Sequence, residues 1–108
     1  MARETDVGAL AAARADGAVV VDVRGSEDYV VGHVPGARLI PLADLPGRAG
    51  ELPRRGRVYV VCASGSRSAV AADWLANAGF DAVSVSGGTD AWRSAGFPLV
   101  SGPREVAG

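Results

Sequence analysis

Three runs constrain this chain more than anything else in it: AVVVDV at residues 18–23, VYVVC at 58–62 and DAVSV at 81–85. Each is short and rich in β-branched residues, and the first two are apolar with almost no alternation. That composition suits strands covered on both faces, as in a parallel sheet, rather than strands with one face in water. The stretches between them carry helical spacing. Val7, Leu10 and Ala11 recur at that spacing after Thr5 or Asp6, either of which can cap, and Gly17 supplies the stop. Ser26 is placed to cap the short helix EDYVV, whose two acids lie in the first turn where the helix dipole favours them, and Gly32 ends it.

HVPGARLIP predicts a Pro-Gly turn and a brief strand over Arg38 to Ile40, closed by Pro41. Residues 42–57 read as a weak helix followed by a solvated loop rich in Pro, Gly and Arg. The helix after Cys62 is expected to bury Val70, Ala71, Trp74, Leu75 and Ala78, to expose Asp73 and Asn77, and to stop at Gly79. TDAWRSAG predicts a last short helix and FPLV a closing segment. Alternating strands and helices imply right-handed crossovers, hence an α/β fold with a mainly parallel sheet and helices on both faces. With 108 residues, no repeat and no linker, the chain is expected to be one domain over 1–108, with its core at about 5–100. Ligands in such sheets gather beyond the carboxyl ends of the strands, where Asp22, Arg24, Cys62 and Gly87 fall.

Composition removes several chemistries. A formal net charge of -1 offers no general attraction to nucleic acid or to an acidic membrane, so neither is expected as a partner. The opening MARETDVGAL is acidic where a secretory signal would be basic and then apolar, and no run reaches membrane-spanning length; a cytoplasmic protein is expected. One cysteine permits no internal disulfide and, even with the single His33, no zinc site; a carboxylate magnesium site is the only metal chemistry left open, and none is assigned. All eleven basic residues are Arg, which removes Schiff-base chemistry, pyridoxal phosphate attachment and the P-loop lysine. No cofactor is expected.

The remaining signal is CASGSRS, residues 62–68. A cysteine that ends a buried strand and precedes a short loop into a helix meets converging backbone N–H groups with a helix N-terminus behind them, an arrangement that favours an anion. Such surroundings lower a thiol pKa from about 8.5 into the range of roughly 3.5 to 7.5 and so make it nucleophilic. Gly65 lets the backbone bend with positive φ, Ser64, Ser66 and Ser68 can donate hydrogen bonds, and Arg67 supplies a permanent positive charge. The plain alternative, a small buried apolar cysteine, explains neither the Gly/Ser loop nor the arginine.

CASGSRS, together with VDVR (21–24), GHVPGA (32–37) and GGTDAW (87–92), resembles rhodanese-type sulfurtransferases over most of the chain. The resemblance implies a single rhodanese-like module with a parallel five-stranded sheet and a cysteine that carries sulfur as a persulfide. Cys62 would take sulfur from a small anionic donor such as thiosulfate and yield it to cyanide or a thiol. Arg67 would draw in the donor, and Ala63, Ser64, Gly65, Ser66 and Ser68 would form the active-site loop. Many rhodanese loops carry Arg or Lys where this chain has Ala63, which bears on thiosulfate as the donor and keeps a protein-to-protein sulfur relay open.

Asp22 and Arg24 match a pair that buttresses the site in that family, with Arg24 a secondary anion contact. His33 invites a role as base, but in a Gly-His-Val-Pro-Gly turn an imidazole more often pins backbone carbonyls. Gly87 and Gly88 allow the neighbouring turn to approach the cysteine loop or are simply a turn. Trp74 and Trp92 are expected in the core, and Arg54, Arg55 and Arg57 in solvent. Two rivals remain. A cysteine phosphatase or arsenate reductase resembles Cys, five residues, then Arg, whereas Cys62 and Arg67 enclose four. A rhodanese-like module that only binds a partner usually lacks the cysteine.

Overall fold

A computed structural model describes residues 3–104, and its framework is a single five-stranded sheet. The strands are β1 (Arg3–Thr5), β2 (Val19–Asp22), β3 (Arg38–Leu39), β4 (Arg57–Val61) and β5 (Asp81–Val85). They lie in the order β1-β5-β4-β2-β3, and every pairing is parallel. The helices are α1 (Val7–Ala15), α2 (Ser26–Val31), the single turn α3 (Leu45–Arg48), α4 (Ser66–Asn77) and α5 (Gly88–Ser94), with 3-10 turns at Leu42–Asp44 and Ala49–Glu51. No helix among the described residues is long and apolar enough to cross a membrane.

The two-residue period of the strands divides the apolar residues into two cores. Val21, Val58, Val60, Cys62 and Ala82 pack with Leu45, Leu52, Ala71, Ala72 and Leu75 beneath α3 and α4. Val20, Val61 and Val85 pack with Leu10, Tyr29, Val34 and Trp92 beneath α1, α2 and α5. Both faces of β2 and β4 are thus dry, as their unbroken valine runs require. Each fully buried valine contributes about 1.5–3 kcal/mol, and a one-residue slip would exchange the two cores, so the register is strongly specified.

The structure departs from the sequence expectations at definite places. β1 is an addition: Arg3–Thr5 is a short, largely exposed edge strand on β5, with Arg3 paired to Asp81, and carries no apolar run to announce it. In α4 the buried residues are Ser68, Ala71, Ala72 and Leu75, while Val70 is 61% and Trp74 39% exposed. The helix turns its small residues to the sheet so that it can lie close, and Ser68 to Cys62. That rotates Val70 and Trp74 outward and corrects the expectation of a core Trp74. Trp92, at 2% exposure, is in the core as expected, its Nε1 donating to the Pro98 carbonyl at 2.7 Å.

The segment read as a solvated loop after the weak helix keeps helical turns as far as Glu51, because Leu45, Ala49 and Leu52 bury against the first core. Gly25, not Ser26, occupies the N-cap of α2, and no side chain caps it. Arg54 lies 4.4 Å over the Phe80 ring and donates to the Ala78 carbonyl at 2.7 Å, and Arg57 pairs with Asp81 at 3.5 Å, so two of the three loop arginines bind the protein rather than only water.

Candidate active site

Cys62 is the first residue beyond β4, the strand between β2 and β5, at the carboxyl end of the sheet. Because its side chain continues the Val58–Val60 face, it points beneath the start of α4 and is fully buried. The chain then turns sharply through Gly65, whose φ of 113° is left-handed and whose absent Cβ would sit 3.3 Å from the Gly87 nitrogen. That turn aims the Gly65 N–H at Cys62 Sγ, 3.0 Å away.

The loop carbonyls are drawn off on the other side. Thr89 N–H donates to the Cys62 carbonyl at 2.8 Å and Asp90 N–H to the Ala63 carbonyl at 3.0 Å. These amides at the start of α5, which have no partner within the helix, take up the negative ends of the two peptides, and the N–H of the second, that of Ser64, is among the donors that favour the charged sulfur. Gly88 makes this possible: a Cβ there would meet the Cys62 carbonyl oxygen at 2.3 Å and the Ala63 carbonyl oxygen at 2.8 Å.

Beneath the sulfur lies a hydroxyl. Cys62 Sγ donates to Ser68 Oγ at 3.5 Å; Ser68 Oγ donates to the Gly65 carbonyl at 3.1 Å and is 2.8 Å from Ser84 Oγ. Burial pushes the Cys62 thiol up, but the Ser68 hydroxyl and the amides of Ser68, Gly65 and Ser64 outweigh it and hold the thiol below its ordinary value. The chief lowering groups are neutral donors. Ser64, Ser66 and Arg67 are exposed and Ala63 is half-buried, so the one fixed charge of the loop faces solvent.

Asp22 and Arg24 form a buried fork: Arg24 Nε donates to Asp22 Oδ1 at 3.0 Å and its NH2 group to Oδ2 at 2.8 Å. The same NH2 group reaches the Gly32 carbonyl at 2.8 Å, tying the end of α2 to the end of β2. Burial works against the Arg24 charge, yet the hydrogen bond and charge of Asp22 hold its pKa above the ordinary value. His33 is buried, stacked on Tyr29 with centroids 3.6 Å apart, and its Nδ1 and Nε2 lie 2.8 and 2.9 Å from the carbonyls of Tyr29 and Arg104. With both nitrogens so occupied, neither is turned to the thiol.

The structure thus brings Cys62, Ala63, Ser64 and Gly65 of the loop together with Ser66 and Ser68 of the first turn of α4 and sets Gly87 beside them. Ser84, Thr89 and the close approach at Gly88 come to light only in the assembled fold. A serine at an inward position of the β5 run and the second glycine of GGTD were the available signals. An open cleft of about 620 Å³ lies elsewhere, lined by Tyr29, Arg38, Arg48 and Arg104 among others, and none of the loop residues reaches it.

Comparison with known proteins identifies relatives of the chain. The family model of the rhodanese-like domain matches residues 6–95. The chain is 41% identical over 64 residues to a Bacillus subtilis protein provisionally named sulfur carrier protein YrkF, an alignment that takes in 59% of this chain and 35% of that protein. The chain therefore spans only about a third of that relative's length. It is 38% identical over 84 residues to thiosulfate sulfurtransferase GlpE of Pseudomonas entomophila, 77% of each chain being covered. Among solved structures, a rhodanese-related protein from Thermoplasma volcanium superposes with a TM-score of 0.85 at 31% identity, over 91% of this chain and 97% of that one.

Proposed function

The chain belongs to the rhodanese-like domain family of sulfurtransferases and sulfur carriers, and on that premise we propose that Cys62 accepts a sulfane sulfur, holds it as a persulfide and passes it on. The observation that carries this reading is a buried cysteine, alone in its sequence, with an amide 3.0 Å from its sulfur and its thiol held below the ordinary value.

In the first step the Cys62 thiolate attacks the outer sulfur of thiosulfate. A sulfur–sulfur bond forms to Cys62, the bond to the sulfonate sulfur breaks, and sulfite leaves with the electron pair. The terminal sulfur of the resulting persulfide carries the charge and inherits the loop amides as donors. In the second step cyanide or a thiolate attacks that terminal sulfur, and Cys62 leaves as the thiolate again. Arg67, exposed on the first turn of α4, draws the anionic donor toward the loop. Since the chain has no second cysteine, no internal thiol can discharge the persulfide as a disulfide.

Ala63 favours a second reading for the donor. A neutral, half-buried side chain stands where many rhodanese loops carry a cation, so a protein persulfide fits this mouth better than a small dianion. The test is one preparation assayed for thiocyanate formation from thiosulfate and cyanide, with mass spectrometry for one added sulfur on Cys62. Turnover and the added mass are expected in the wild type and neither in Cys62→Ser. Turnover that survives Cys62→Ser, or Cys62-dependent hydrolysis of an aryl phosphate without sulfur transfer, would remove the reading. A sulfur-loaded Cys62 obtained only from a persulfidated protein would select the relay.

A further inference from the structure

We propose that Ser84 is a positioning residue for the reactive sulfur: its hydroxyl donates to Ser68 Oγ and thereby commits the Ser68 proton to the Cys62 thiolate. Ser84 is the penultimate residue of β5, opposite Val60 in the sheet, at a position where the period of the strand calls for an apolar residue. It is fully buried, as are Ser68 and Cys62. Its hydroxyl has one hydrogen-bond partner among the described residues, Ser68 Oγ at 2.8 Å.

Counting protons fixes the direction of that bond. The Ser84 proton has only Ser68 Oγ to go to, whereas the Ser68 proton has the Gly65 carbonyl at 3.1 Å and Cys62 Sγ at 3.5 Å. If Ser68 donated to Ser84, the Ser84 proton would be buried with no acceptor, a costly arrangement that native interiors avoid. Ser84 is therefore the donor. With the thiol protonated, Ser68 Oγ accepts from both Ser84 and S–H and gives its own proton to Gly65. When the thiol ionises, the sulfur becomes an acceptor and the Ser68 proton turns to it. A hydroxyl oxygen that already accepts one bond is a weaker acceptor for S–H and a stronger donor to a thiolate, so Ser84 favours the charged form on both counts.

The charged residues on the elements around the loop are Arg3 and Glu4 of β1, Asp22 at the end of β2 and Arg24 after it, Arg57 of β4, Arg67 and Asp73 of α4, Asp81 of β5, and Asp90 and Arg93 of α5. Substitutions at the two serines leave all of them in place. The inference rests on Cys62 acting as a thiolate, but its test needs no sulfur transfer. An inactive protein whose titration still depends on Ser84 would count against the transfer reaction alone.

The experiment is a titration of Cys62 by its ultraviolet thiolate absorbance in the full chain, for the wild type, Ser84→Ala, Ser84→Thr, Ser68→Ala and the double alanine variant, each with Cys62→Ser subtracted. Strengthening a charged hydrogen bond by the cooperative fraction expected of one more donor predicts that Ser84→Ala lowers the acid dissociation constant about 1.3- to 5-fold. Ser84→Thr, which keeps the hydroxyl, should restore it. In the Ser68→Ala background the further change should vanish, because Ser84 acts through Ser68. A Ser84→Ala protein that melts earlier but titrates like the wild type would show a merely structural serine and overturn the proposal. So would a shift that persists undiminished without Ser68.

Discussion

Replacing Gly88 by alanine separates two costs that a left-handed glycine can hide. Gly36 and Gly88 both have positive φ, 84° and 55°, but nothing lies within 4 Å of a Cβ built on Gly36, whereas one on Gly88 would stand 2.3 Å from the Cys62 oxygen and 2.8 Å from the Ala63 oxygen. The intrinsic cost of the left-handed region to an L-residue, about 1–2 kcal/mol, applies to both. At Gly88 the obstructing atoms are backbone, so α5 and the loop must part, which breaks the bonds from Thr89 N–H and Asp90 N–H to those oxygens. At roughly 0.5–1.5 kcal/mol each, these add about 1–3 kcal/mol. Gly36→Ala is therefore expected to lose about 1–2 kcal/mol and Gly88→Ala about 2–5 kcal/mol in urea unfolding. Only the second should also raise the ionisation midpoint of Cys62, because the freed carbonyls turn back toward the sulfur. Equal losses in the two variants, or a Gly88→Ala protein with an unchanged midpoint, would refute the view that this glycine exists to let the helix seize the loop.

Three further outcomes follow from the same geometry. Asp22→Asn leaves the buried Arg24 guanidinium without its counter-charge and should cost about 3–5 kcal/mol in chemical denaturation; a loss near zero would show that the pair is solvated. Thr89 Oγ1 is buried and, alone among buried side-chain oxygens and nitrogens of the described residues, has no protein partner, so Thr89→Val should be neutral or raise stability by about 1 kcal/mol; a clear fall in melting temperature would mean that the hydroxyl is satisfied in solution. The lowered Cys62 pKa also makes stability depend on pH. Between the native midpoint and the ordinary thiol midpoint, the unfolded chain holds a proton that the native one has released, so the wild type should gain stability over Cys62→Ser as pH rises through that window. The gain should be complete above the unfolded midpoint and disappear as pH falls through the native one. Parallel stability curves for the two proteins would contradict the shift.

What the sequence disclosed, and what it withheld, follows from the range of the forces involved. The valine runs announce β2 and β4 because a strand buried on both faces has no alternative composition. Local chemistry also showed through: Asp6 caps α1 by accepting the Ala9 N–H at 2.8 Å, and Gly65 takes the left-handed turn expected of it. β1 stayed hidden because an edge strand of three residues is held by backbone bonds to β5, which leave no mark on side-chain pattern. The outward turn of Val70 and Trp74 was equally invisible. Hydrophobicity alone favours burying the largest residues, while close approach to the sheet favours Ala71 and Ala72, and only the assembled packing decides between them. The cysteine loop was legible as a motif, but its support was not. Gly88 acts from α5 on the loop and Ser84 from β5 on α4, through contacts joining residues 16 to 26 apart in sequence.

The central claim is that neutral donors, chiefly the Ser68 hydroxyl and the loop amides, keep a buried sulfur ionised more readily than an ordinary thiol. A spectroscopic titration tests it at equilibrium, free of the access problem that a buried thiol poses to alkylating reagents, and the single cysteine makes the signal unambiguous. The native chain should ionise at lower pH than the same chain in concentrated urea. Coincident curves, or a native midpoint above the unfolded one, would show that burial prevails over the donors and that the loop does not hold a thiolate.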